Sequence, residues 1–185
     1  MREFQAFGFE PGYRVEVDPE FPADGNWGCP VFGYDCDGRV AEEFVARWGS
    51  SLTVRVTSGG GEWVGRFPAS GVGGVDGVFA CPAAGQLCVV VAGLAQVVEV
   101  GAPGAGAVLV RDQVAQVVPV LGMPLLLLVS WTDLVAIGPD GVAWESARLA
   151  LDGLRVLEAS AEGIRCVDDL AEIVVVDPVT GRTRG

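Results

Sequence analysis

The side chains best suited to chemistry crowd one stretch, Asp18 to Gly38 (DPEFPADGNWGCPVFGYDCDG), where Asp18, Glu20, Asp24, Asp35 and Asp37 stand among Phe21, Trp27, Phe32 and Tyr34. Carboxylates at this density can wrap a hard cation, or meet a basic partner. Asp35-Cys36-Asp37-Gly38 has the alternating acids and the glycine found in the middle of a calcium loop. Such a loop would begin at Gly33 and end at Phe44, so it lacks its first ligand and its bidentate last one. A β-turn accounts better for the four residues, because Asp and Gly accept its tight geometry. Asp18, Glu20, Asp24, Trp27, Tyr34, Asp35 and Asp37 are therefore expected to form a partner-binding surface, with aromatics anchoring a basic protein and carboxylates steering it. The competing expectation is an ordinary loop whose aromatics cover the core.

Other reactive groups offer less. The neighbouring pairs Glu42/Glu43 and Asp168/Asp169 do not meet the need of glycoside hydrolysis for two carboxyls facing each other across a substrate, since adjacent residues on a strand point to opposite faces. Five cysteines, Cys29, Cys36, Cys81, Cys88 and Cys166, contain no CxxC pair. The equal gaps Cys29 to Cys36 and Cys81 to Cys88 are wider than structural zinc sites use, so the thiols read as small buried hydrophobes in a reduced compartment. No metal, no cofactor and no catalytic residue is expected. The beginning MREFQAFGFE lacks the positive, apolar, small-residue order of a signal peptide, which points to a cytoplasmic protein.

Composition narrows the function classes. The 185 residues carry 24 acidic and 12 basic groups, a formal charge of −12, and there is no histidine. All the basic residues are arginine, a bias that reads as that of a GC-rich genome. Without histidine there is no Ser-His-Asp or Cys-His nucleophile and no HExxH metal site, and without lysine no Schiff base and no P-loop lysine. The acidic chain with scattered arginines is repelled by phosphate backbones, so nucleic acid is not an expected partner.

Charge is also unevenly spread. Residues 77–132 hold only Glu99, Arg111 and Asp112, and Gln113 to Thr132 is a 20-residue stretch with no charge at all. That length raises the question of a membrane span, but Pro119, Gly122 and Pro124 cut it into pieces of strand length, and no basic cluster flanks it. Valine-rich apolar runs bounded by Gly or Pro are expected to be strands buried on both faces.

The elements that would position these residues are strands. Tyr13, Val15 and Val17 alternate with Arg14, Glu16 and Asp18, and Leu52, Val54 and Val56 alternate with Thr53, Arg55 and Thr57, the period of half-buried strands. A glycine-rich link then leads to EWVGRF, Glu62 to Phe67, which predicts a hairpin. One short helix is expected near residues 40–48, from Val40, Phe44 and Trp48 at helical spacing, with Glu43 able to pair with Arg47. Ser146 to Leu151 could hold one further helical turn, and Trp131 and Trp144 are expected in core or edge packing. From residue 77 onward short strands follow every six to twelve residues, so the fold class is all-β, mainly antiparallel, as propeller-like meanders or a sandwich in one domain. An acidic region 1–76 would precede a repeat-like region 77–185.

LCVVVAGLAQVVEVGAPGAGAVLV from Leu87 lays over LLLLVSWTDLVAIGPDGVAWES from Leu125, 38 residues on, each a strand, a turn, a second strand, a glycine turn and a third strand. Residues 77–182 thus resemble blades of a quinoprotein-type or WD-type propeller, a resemblance that implies propeller-like sheets packed on the N-terminal region or a half-ring completed by a partner, and names no site residue. Trp144 to Leu149 with Asp152-Gly153 is also similar to a segment of small bacterial all-β proteins and implies no activity. In size and charge the chain is similar to immunity proteins that plug basic toxin active sites. The expected function is accordingly a non-catalytic acidic module that binds a basic protein, without nucleic acid or membrane, with a homo-oligomer possible in principle. The alternatives are a small-ligand or divalent-cation binder or carboxylate-based hydrolase, and a self-assembling structural subunit.

Overall fold

The computed structural model describes residues 3–41, 51–69 and 73–184. In chain order the described strands are β1 (Phe4–Gln5), β2 (Tyr13–Val17), β3 (Val31–Tyr34), β4 (Val40–Ala41), β5 (Leu52–Ser58) and β6 (Gly61–Phe67). They continue with β7 (Gly77–Ala80), β8 (Gln86–Val91), β9 (Leu94–Glu99), β10 (Ala107–Arg111), β11 (Gln116–Pro119) and β12 (Leu126–Val129). The last are β13 (Leu134–Gly138), β14 (Gly141–Glu145), β15 (Arg155–Ser160), β16 (Gly163–Val167) and β17 (Ile173–Val176). The fold is all-β and mostly antiparallel, as its alternating and valine-rich runs require.

These strands form four sheets. The first has the order β2-β5-β6-β3-β4, the second β1-β7-β8-β9-β10, the third β11-β12-β13-β14 and the fourth β15-β16-β17. Among the described strands only β1 on β7 and β3 on β6 pair parallel. The β5–β6 hairpin turns on Gly59 and Gly60 with Ser58 opposite Gly61, a two-residue link of the kind that glycine permits.

The sheets stack face to face, and the twofold period of a strand decides which core each side chain joins. Val54, Val56, Trp63 and Phe67 of the first sheet meet Val78, Leu87, Val89 and Val98 of the second. From the other face of the second sheet, Phe79, Cys88, Val90 and Val97 meet Leu126, Leu128, Val135 and Ile137 of the third. The remaining face of the third sheet sends Leu127, Val129, Leu134 and Ala136 against Ala159, Ile164, Cys166 and Val176 of the fourth. The two middle sheets are thus buried on both faces, which is why LCVVV and LLLLV show no polar alternation. The uncharged stretch Gln113–Thr132 supplies β11 and β12 to this interior, and among the described residues no helix is long and apolar enough to cross a membrane. At the two ends of the stack the outward faces are charged: Arg14, Glu16 and Arg165 alternate with the buried positions of β2 and β16.

The repeat is a real feature of the architecture. β7, β11 and β15 begin at residues 77, 116 and 155, 39 apart each time, and each opens an antiparallel meander with strands in chain order. After β17 the chain turns at Asp177–Gly181 and runs back beside it, with Val176 bridging Thr183 and the Arg184 N–H donating to the Val175 carbonyl at 2.8 Å. The second and third sheets are clasped at one side by Arg111 at the end of β10, whose guanidinium meets the Asp133 carboxylate at 2.5 Å, while Asp133 also accepts the Ser130 hydroxyl at 3.0 Å.

Three local expectations change. The helix near 40–48 cannot begin at Val40, because Val40 and Ala41 form β4 and pair with Tyr34 and Gly33; the rest of it, Glu42 to Trp48, lies outside the described residues. Ser146 to Leu151 makes no helical turn, since the N–H groups of Ser146, Leu149 and Ala150 donate to the carbonyls of Leu134 and Thr132 instead of to one another. Trp131 sits in the turn after β12 and is 42% exposed, whereas Trp144 packs at an edge with its indole N–H on the Pro178 carbonyl at 2.9 Å.

Candidate functional site

The acidic segment leaves the first sheet at Asp18, which bends the chain at φ +49 and clips to the next strand: its N–H donates to Thr53 O at 2.8 Å and its Oδ1 accepts the Thr53 N–H at 3.2 Å. Two consecutive side-chain turns follow. Asp24 Oδ1 accepts the Asn26 N–H at 3.0 Å, and Asn26 Oδ1 accepts the Gly28 N–H at 2.9 Å. Gly25 and Gly28 supply the positive φ that such a path needs. The chain then enters β3 and turns at Asp35–Gly38, where Asp35 Oδ1 accepts the N–H groups of Asp37 at 2.9 Å and Arg39 at 2.8 Å.

That turn also joins two sheets. The Gly38 carbonyl accepts the Ala107 N–H at 2.7 Å, and the Asp35 carbonyl accepts the amide of the buried Gln96 at 2.6 Å. The tetrapeptide is therefore a structural turn that docks the first sheet on β10, with its aspartate oxygen committed to backbone donors.

Two aromatic members of the segment, Trp27 and Tyr34, point inward. Tyr34 is 1% exposed, stacked on Phe67 with ring centroids 4.7 Å apart, and its hydroxyl donates to Pro103 O at 3.1 Å; burial pushes the phenol above its ordinary range. Trp27 is 9% exposed, edge-on to Phe21 at 5.6 Å, and its buried indole N–H has no acceptor. Trp27 and Tyr34 thus cover the core and are withdrawn from the outer surface for the ordinary reason that large rings gain most from burial. Facing solvent are Asp18, Glu20, Asp24 and Asp37, with Phe21 as the exposed aromatic and Asp37 paired to Arg39 at 3.4 Å. Asp35 is half-buried.

These carboxylates sit on separate backbone turns, and among the described residues no group of three His, Cys, Asp or Glu is placed to hold a metal ion. Asp168 is a turn residue, its Oδ1 accepting the N–H groups of Leu170 and Glu172, and Asp169 is exposed beside it; Glu42 and Glu43 lie outside the described residues. The thiols divide by burial. Cys36 is exposed and Cys29 partly so, while Cys81, Cys88 and Cys166 are buried and free. Burial pushes the Cys88 thiol up to about 12 and Cys166 up to about 11, so neither supplies a thiolate near neutral pH.

A second feature was not legible in the sequence. Where the second and third sheets separate at one edge, a cleft of about 110 Å³ opens between β9–β10 and β13–β14, with Val97, Val108, Val110, Ile137 and Val142 in its walls. Its polar end is Gln86 and Glu99, directly opposite one another on β8 and β9, and the Gln86 Nε2 donates to Glu99 Oε1 at 2.5 Å. Tyr13 holds the backbone there by donating to Gln86 O at 2.5 Å. The one available signal was Glu99 itself, one of two carboxylates in the almost uncharged middle of the chain.

No family model, curated protein or solved structure matches this chain.

Proposed function

We propose that this chain is a non-catalytic, acidic binding module whose partner is a basic protein, and that an immunity-like inhibitor of a cationic toxin is the specific form of that role. The observation that carries the reading is the disposition of Asp18, Glu20, Asp24 and Asp37, all exposed on a segment tied by backbone hydrogen bonds to β5 at Asp18 and to β10 at Gly38 and shaped between them by side-chain turns. An excess of 24 carboxylates over 12 arginines leaves a strong negative field, which speeds encounter with a cationic surface and repels anionic ones. Distribution of the acids over separate turns favours a charged surface over a cation site, because a bound metal needs its oxygens within one coordination shell.

The test is affinity purification of the tagged chain from its native extract at low and at moderate salt, with mass spectrometry of what is retained. The expected result is one stoichiometric basic partner lost as salt rises. With that partner purified, neutralising Asp18, Glu20, Asp24 and Asp37 together should slow association by at least about tenfold at low salt. Absence of a basic partner at either salt, or an association rate indifferent to both salt and the four substitutions, would overturn the reading.

A further inference from the structure

We infer that the cleft between β10 and β14 receives a single long cationic side chain, an arginine or lysine of the basic partner. This rests on the reading just given and names where that partner is anchored.

The cleft is shaped for one side chain. Its volume of about 110 Å³ is the room of three or four waters at about 30 Å³ each, too little for a folded segment of peptide. Gly141 contributes no side chain to its lining, and a Cβ there would meet only open space. Val97 and Ile137 form a buried apolar floor, while Val108 and Val142 are 65% and 49% exposed although both lie in strands. β10 and β14 are the edge strands of their sheets, so no neighbouring strand of the described chain covers these two valines. An aliphatic stem laid along them would remove apolar surface from water on both sides.

The polar end selects the head group. Glu99 has its carboxylate fixed by the Gln86 amide, and no arginine among the described residues forms an ion pair with it. A carboxylate at the open end of an apolar cleft suits a guanidinium or ammonium, which brings donors and the opposite charge. A purely apolar side chain would leave the Glu99 carboxylate unanswered, and an acidic one would be repelled.

The probes are n-butylguanidinium and its neutral counterpart n-butylurea, titrated into the full chain with labelled valine and isoleucine methyl groups. The cation is expected to shift the methyls of Val97, Val108, Val110, Ile137 and Val142 and to bind about tenfold more tightly than the urea. Glu99→Gln should bring the two probes within about twofold, and Val142→Trp, at an exposed edge position, should fill the cleft and remove both. Equal binding of the two probes by the unaltered chain, or shifts elsewhere with the cleft methyls still, would overturn the assignment. Against the purified partner, Val142→Trp should weaken affinity at least about tenfold. An unchanged affinity with the salt-dependent association rate intact would overturn the cleft and leave the acidic-surface reading standing. Cleft binding of n-butylguanidinium with no basic partner captured would overturn that reading and, with it, the partner side chain as occupant.

Discussion

Leu126 and Leu127 are consecutive in β12 and both fully buried, yet they pack into different cores: Leu126 faces the second sheet with Cys88 and Val90 behind it, and Leu127 faces the fourth with Ile164 and Cys166. One step along a strand is half of its side-chain period, so neighbours on a middle sheet serve opposite interfaces.

Truncating either leucine should therefore be costly. Leu126→Ala and Leu127→Ala are each expected to lower unfolding free energy by about 2–5 kcal/mol, measured by urea denaturation. Thr57→Ala, on the outward face of β5, should stay within about 0.5 kcal/mol of the parent. A mild effect at one leucine and a large one at the other would mean that one face of the third sheet is uncovered.

The docking turn gives a second test. Gly38 has φ +83, and a Cβ there would stand 2.0 Å from the Ala107 carbonyl oxygen, a backbone atom that cannot swing aside. Gly38→Ala should destabilise by at least about 2 kcal/mol and expose the β10 amides to hydrogen exchange. Loss of less than about 0.5 kcal/mol in thermal unfolding would show that the first sheet does not depend on this contact.

Thiol chemistry should follow burial. A soluble disulfide reagent at pH 8 is expected to label Cys36 first and Cys29 more slowly, because burial and the nearby Glu62 carboxylate raise the Cys29 thiol. Cys81, Cys88 and Cys166 should react only after denaturant is added, with peptide mapping to identify each site. Labelling of Cys88 in the folded protein would contradict the packing of the second sheet on the third.

At acid pH the tail after β17 should loosen. Asp177 is held down to about 2, first by the Arg184 guanidinium, whose Nη2 lies 2.8 Å from its Oδ2, and then by backbone N–H groups of Thr180 and Val179. A folded-state value below the unfolded one, about 3.9, stabilises the fold above that pH and stops doing so as pH falls through about 2. Carboxyl-carbon NMR should show Asp177 titrating near 2 in the parent and closer to the ordinary range in Arg184→Ala. Titration of Asp177 near 3.9 in the parent would remove the Arg184 contact from the account.

Much of the fold was open to reading from residue types. Leu52, Val54 and Val56 alternating with Thr53, Arg55 and Thr57 dictate one buried face, and a two-glycine link closes the hairpin to β6, because these choices act over two to four residues. The spacing between Leu87 and Leu125 likewise exposed the repeated meander, since each unit needs the same run of strand and turn signals. Helical spacing at Val40 misled because β4 is fixed by pairing with Gly33 and Tyr34, which outweighs local periodicity.

The site was legible only in outline. Residue types placed the carboxylates of Asp18–Asp37 in turns, and there they are; they could not say that Trp27 and Tyr34 would turn inward, because a ring beside charged residues can serve either surface or core. The sequence by itself determined the all-β class, the acidic charge, the absence of histidine and lysine chemistry and the rhythm of strands, all consequences of composition and short-range geometry. Tertiary structure alone decided which sheet covers which, that β10 and β14 end as edges side by side, and that Glu99 and Gln86 close the apolar cleft between them. The cleft alone joins residues 56 positions apart, from Gln86 to Val142, and no local preference encodes a distance of that kind.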